Sequence, residues 1–148
     1  SIKYLLFIFA FVFIPSLHAQ AELPYEVSYF EDKSSSLSIE EIPIQVFAST
    51  HTTIQNLGIT NTPHWFRLKI RPSQEYLSEQ WWIMFVYLPL DYIDYYLFDA
   101  NGELIHTIHS GELRPFFQRE VADPSFINPL PLTQADDYTL YIRIQTEG

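Results

Sequence analysis

Apolar and polar residues alternate with a period of two along most of the chain from Tyr25 onward, the pattern of strands with one buried face. Tyr25 to Phe30 alternates first. Trp65 to Arg71 sets Phe66, Leu68 and Ile70 on one side, with Trp65, Arg67, Lys69 and Arg71 on the other. Asp91 to Phe98 sets Ile93, Tyr95 and Leu97 against Tyr92, Asp94, Tyr96 and Phe98. Trp81 to Tyr87 is apolar on both sides and predicts a central, covered strand. Asn101-Gly102 signals a hairpin, because both residues tolerate positive φ, and Glu103 to His109 is the returning strand. Ser125 to Leu132 and Tyr138 to Gln145 complete the set, with Asp136-Asp137 in the turn between them. Seven or eight strands with closely spaced turns predict an all-β fold, an antiparallel sandwich or barrel.

Helical signals are few. Ser38-Ile39-Glu40-Glu41 is a capping box flanked by Leu37 and Ile42 at staple positions. Pro43 then predicts an end after about one turn, so the reading is one short helix on a loop. His51 to Thr62, rich in Thr and Asn, predicts a long connection.

The N-terminus breaks the strand pattern. Lys3 precedes an unbroken apolar and aromatic run from Tyr4 to Ile14, and Pro15-Ser16 ends it. Leu17-His18-Ala19-Gln20-Ala21 then offers the small-x-small pattern of a signal-peptidase site. The run is eleven residues, whereas a helix needs about 20 to cross a bilayer. The expectation is an export signal over 1–21 and one domain over 22–148, working outside the cytoplasm. A strand running almost to Gly148 would leave a sheet edge open, so the chain reads as a piece that continues further.

Composition narrows the partners. Without the leader, seven bases face eighteen acids, a net charge of −11. Such a surface repels phosphate backbones, so nucleic acid is excluded as a partner. There are no cysteines, which removes disulfides and thiolate metal sites. Packing must therefore come from the twenty-five aromatics.

Catalytic signatures are lacking: no nucleophile elbow, zinc-protease helix motif or phosphate loop occurs. His106 and His109 fall on opposite faces of one strand, as do Asp91 and Asp94, so neither pair builds a metal site. The reading is no enzyme, no cofactor and no metal. A binding site is better supported. Gly111 to Arg119 gathers Glu112, Arg114, Phe116, Phe117 and Arg119 in nine residues. Arginine beside aromatics on a loop calls for a partner, from a ligand or from an internal acid. Trp65 and Arg67 share a strand face and form a platform if that face is open, or core if it is covered.

Five stretches then resemble, in order, the type-two extracellular domain of seven-transmembrane receptors with diverse intracellular signalling modules. They are Pro63-His64-Trp65-Phe66-Arg67, Leu88 to Leu97, Gly111 to Arg119 (with Glu112 where the family has Asp), Phe126 to Leu132 and Leu140 to Gln145. The resemblance spans about Tyr29 to Gly148. It implies a jelly-roll-like antiparallel β-sandwich similar to carbohydrate-binding modules, held in the bacterial periplasm ahead of membrane helices. A diguanylate cyclase or histidine kinase would be the output. It carries ligand-binding interest to Trp65, Arg67, Asp91, Tyr96, Arg114, Phe116 and Arg119, to which the loop reading adds Glu112. The ligand implied is a saccharide or another small polar molecule, with membrane attachment through a C-terminal region. Two other readings stay open: a protein-interaction or homodimerisation module, and a carbohydrate-binding appendage of a secreted enzyme.

Overall fold

A computed structural model describes residues 6–8, 11–15, 25–49, 54–56, 61–77, 81–85, 92–110 and 127–145. In chain order the strands are β1 (Leu6–Ile8), β2 (Phe11–Pro15), β3 (Tyr25–Glu31), β4 (Ala48–Ser49), β5 (Ile54–Asn56) and β6 (His64–Ile70). They continue with β7 (Trp81–Phe85), β8 (Tyr92–Phe98), β9 (Leu104–Ser110), β10 (Ile127–Leu130) and β11 (Tyr138–Gln145). Each period-two segment of the sequence has become a strand. Six of them form one antiparallel sheet in the order β4-β3-β6-β11-β8-β9. A three-stranded sheet runs β10-β7-β2, and β1 pairs with β5. β7, apolar on both sides in sequence, is the middle strand of its sheet.

Alternation places the core. Phe66, Leu68 and Ile70 of β6, Leu140, Ile142 and Ile144 of β11, and Ile93, Tyr95 and Leu97 of β8 all point to one face and are buried. Trp81 and Ile83 of β7 and Leu130 of β10 belong to the same cluster, so the two sheets share one apolar interior. Burying a side chain such as Leu68 or Leu140 stabilises the fold by about 1.5–3 kcal/mol. At one end of this face the Tyr29 hydroxyl meets His64 Nδ1 at 2.7 Å. Burial holds the His64 imidazole below its ordinary range, against a smaller opposing pull from Glu31. Burial, and then Glu31, push the Tyr29 phenol up to about 12. Both groups are therefore neutral near pH 7, and the imidazole tautomer sets which of them donates.

Three local outcomes differ from the pattern. Leu6–Ile8 and Phe11–Pro15, inside the segment read as an export signal, are paired as strands with Ile54–Asn56 and Trp81–Phe85. A run rich in Phe, Ile and Val suits a pleated sheet. The short helix is a 3-10 turn, Ile42–Ile44, and a second lies at Gln74–Tyr76. Pro43 sits inside the first turn rather than ending it, since proline is tolerated at a first helical turn. The capping box is modified: the Glu41 amide donates to the Ser38 carbonyl, while the Ser38 amide and hydroxyl both donate to the Glu41 carboxylate. At the hairpin only Gly102 has positive φ, +78°. The Gly102 amide donates to the Asp99 carbonyl and the Asp99 amide to that of Glu103. This is a turn closed by a left-handed glycine, with a register shift at Leu97/Phe98.

Candidate functional site

The second face of the six-stranded sheet carries the polar chemistry, arranged in rows by strand register. One row reads Phe30, Trp65, Arg143, Asp94, His109 across β3, β6, β11, β8 and β9. The next reads Ser28, Arg67, Tyr141, Tyr96, Thr107. Residues far apart in sequence are thus side by side because the pleat sends every second side chain to this face.

Part of this face is covered. Residues 32–47 leave β3 and fold back over it as a strap. Its anchor is Asp32, which is 1% exposed. Asp32 Oδ1 accepts from the Ser34 amide (3.1 Å), the Ser34 hydroxyl (2.5 Å) and the Ser35 amide (3.1 Å), and Oδ2 accepts from the Leu37 amide (3.0 Å). Ser35 takes a left-handed conformation, φ 58°, to close this knot. The strap then lays Leu37, Ile39, Ile42 and Phe47 against Trp65, Tyr141, Phe30, Tyr96 and Phe98, making a second apolar cluster. Its outer side leaves Ile44 and Val46 exposed.

Within the cluster the aromatic rings are ordered. Trp65 stacks on Tyr96 with centroids 5.9 Å apart, and Tyr96 meets His109 edge-on at 6.2 Å. Phe98 and Phe47 both pack on Tyr141. The Arg67 guanidinium lies 4.4 Å above the Phe47 ring, a cation–π contact. Beside these rings Asp94, 3% exposed, is held by His109 Nδ1 at 2.6 Å and Arg143 at 3.5 Å. Such partners are what a buried carboxylate requires. Arg143 also donates to Gln145, whose amide donates to the Asn61 carbonyl. Among the described residues, the buried donors Trp65 Nε1 and Arg67 Nε have no acceptor. Below the strap, a small opening of about 270 Å³ lies between Pro43 and the Asp99–Gly102 turn, walled by Phe98 and Tyr141.

Of the sequence-predicted site residues, Trp65, Arg67 and Tyr96 come together on this face. Trp65 is sealed beneath the strap, and Arg67 and Tyr96 are half-buried. Asp91, Glu112, Arg114, Phe116 and Arg119 lie outside the described residues. Sequence reasoning set Asp94 and His109 aside as unable to build a metal site with their neighbours, and passed over Arg143. Counting outward from the Asn101-Gly102 turn would have set Asp94 opposite His109. Their register confirms that His106, opposite Leu97, and His109, opposite Asp94, face opposite ways. Among the described residues, no group of three or more acids and histidines is placed to hold a metal ion.

The arrangement can stack a ring against aromatics while donors and a carboxylate address its polar groups. Compared with known families, the chain matches the model described as 7TMR-DISM extracellular 2 over residues 25–148. No curated protein and no solved structure matches the chain.

Proposed function

The chain belongs to the 7TMR-DISM extracellular 2 family, and we propose that it binds a small polar ligand, a saccharide above all, at the outer face of the six-stranded sheet. The family is one of extracellular sensor domains of seven-transmembrane receptors with intracellular signalling modules; it is not a catalytic domain. The observation that carries the ligand reading is the convergence of half-buried Tyr96, Phe98 and Arg67 with exposed His109 on one face, backed by buried Tyr141 and Asp94. Aromatic rings stack on the apolar side of a sugar ring, and charged groups fix its hydroxyls. Trp65, beneath the strap, backs Tyr96 rather than meeting the ligand. The loop with Glu112, Arg114, Phe116 and Arg119, together with Asp91, completes the pocket in this reading.

The same proposal includes the two-layer, jelly-roll-like sandwich, a cleaved leader over 1–21, residence in a bacterial periplasm and attachment through a C-terminal membrane region. The output is a diguanylate cyclase or a histidine kinase. The Ala19-Gln20-Ala21 pattern and the family support it. Signalling requires a ligand that prefers one of two receptor conformations, since equal affinity for both shifts nothing.

Calorimetric titration with a panel of neutral and acidic saccharides tests the site. Arg67→Ala with Tyr96→Ala, and separately Arg114→Ala with Arg119→Ala, should each weaken binding about tenfold or more, the loss of one stacking or charge-assisted contact. Parent-like affinity in a double variant removes that pair from the site. Exposed Ile44 and Val46 on the strap favour a second reading, a protein interface or homodimer. Sedimentation that shows a dimer at micromolar concentration, with no ligand response, would select it.

A further inference from the structure

Where β3 and β11 begin and β6 ends, the sheet opens into a cleft of about 510 Å³, within the range of small-molecule sites. Its charged lining is Glu26 of β3, Lys69 of β6, and Arg71 and Asp137 at the strand ends. Ile70 and Tyr138 border it from the buried face of the sheet, where both belong to the core. This is a different place from the aromatic face under the strap.

The charges here are unusually uncommitted. Glu26 and Lys69 are register partners on neighbouring strands, where opposite charges normally close on each other. The ion pairs among the described residues join Arg71 to Asp137, and His109 and Arg143 to Asp94; none joins Glu26 to Lys69. Arg71 and Asp137 touch at 3.3 Å, but their side chains are 72% and 65% exposed. A pair so exposed is weak, and arginine has donors to spare.

The layout of sign is equally specific. Both cations come from β6 and its exit; one acid comes from β3 on one side of it and the other from the turn that enters β11 on the other side. In a chain of net charge −10, these four groups sum to zero. A simple anion entering the cleft meets Glu26 and Asp137; a simple cation meets Lys69 and Arg71. A molecule that carries both charges a few bonds apart satisfies all four. We propose that this cleft binds a free α-amino acid. Its carboxylate accepts from Lys69 and Arg71, and its ammonium donates to Glu26 and Asp137. The inference goes beyond the saccharide reading and rests on other residues, so either can fail without the other.

The test is calorimetric titration of the 148-residue chain with L-leucine, N-acetyl-L-leucine, L-leucinamide and glucose. Leucine should bind, and each blocked analogue, lacking one charge, should bind at least tenfold more weakly. Lys69→Met and Glu26→Gln, both at exposed positions, should each weaken leucine at least tenfold with an unchanged thermal midpoint. If a variant loses its folding transition, the two analogues still read the same two charges without altering the protein. No heat with leucine up to about 10 mM, or equal binding of a blocked analogue, overturns the proposal. So does glucose binding that is lost in the same two variants, which would make the cleft a saccharide site.

Discussion

Replacing Asp32 tests whether the strap is held as the structure implies. The carboxylate is buried and accepts four hydrogen bonds, three of them from backbone amides of Ser34, Ser35 and Leu37. Hydrogen bonds to a charged group contribute about 1.5–3 kcal/mol each at most. Here Ser34 and Ser35 are exposed, so water takes back much of what the substitution removes. Asp32→Ala should therefore cost about 2–3 kcal/mol in all, well short of the sum of four bonds. Asp32→Asn is the sharper variant. Its carbonyl can keep the three contacts made by Oδ1, but its amide group presents N–H to the Leu37 N–H, donor against donor. That single loss should cost about 1–2 kcal/mol. Urea unfolding with an unchanged m-value reads both numbers. Amide exchange reads the location: protection of Ser34, Ser35 and Leu37 should fall in the alanine variant, and protection in β6 and β11 should follow only the global loss. An alanine variant within about 0.5 kcal/mol of the parent, with those three amides still protected, refutes the anchoring role.

The remaining expectations concern the main core, pH and backbone strain. Leu140→Ala removes a side chain with 0% exposure from the middle of the large sheet and should cost about 2–5 kcal/mol by urea unfolding. The folded state keeps His64 neutral below the ordinary value of 6.5, so the unfolded chain binds the extra proton first. That contribution to stability is fully present above pH 6.5 and is lost as pH falls from 6.5 toward the depressed folded value. Melting temperature should drop across that window, and His64→Gln should flatten the slope; parallel slopes in the two proteins would remove His64 as the cause. Ser35→Gly relieves a left-handed residue at φ 58° and should leave stability unchanged or raise it by up to about 1 kcal/mol in thermal unfolding. A loss of more than that would mean the serine side chain matters more than its backbone.

The fold was legible where a single period held over five residues or more. Trp65 to Arg71 and Tyr92 to Phe98 show both faces plainly, and the structure buries the apolar side of each as the alternation implies, with Trp65 and Asp94 buried on the other side as well. Turn geometry was only half legible. Asn101-Gly102 marked the hairpin, but which of its residues turns left-handed depends on the length of the loop, and Asp99 lengthens it by accepting from the Asn101 and Glu103 amides. The strap was not legible as a cover. Leu37, Ile39, Ile42 and Phe47 have no common period, so nothing local says that they bury one surface. For the same reason the sequence left Trp65 undecided between platform and core: its partner Tyr96 is thirty-one residues away, and its lid lies on the other side of β6 in sequence. Asp94, His109 and Arg143 were not read together because each is unremarkable on its own strand. Only pairing of β8 with both β9 and β11 makes them one cluster.

The two apolar clusters differ in what they demand of the chain. The main cluster has fifteen buried residues drawn from both larger sheets, so opening it means unfolding the domain. The second has three, Ile42, Trp65 and Tyr141, and its cover comes from one loop. Lifting that loop uncovers three buried side chains rather than fifteen and breaks no ladder bond of β6, β8 or β11, so it costs less than global unfolding. The buried donors Trp65 Nε1 and Arg67 Nε lower the cost further, because solvent or a ligand hydroxyl entering there satisfies groups that have no acceptor among the described residues. A receptor domain needs an element that moves for a few kcal/mol while the rest stays folded. On this sheet the strap comes nearer to that condition than the register rows beneath it. In the sensor reading, a ligand on the outer face therefore acts through residues 32–47, and the Asp32 knot sets how far they can move.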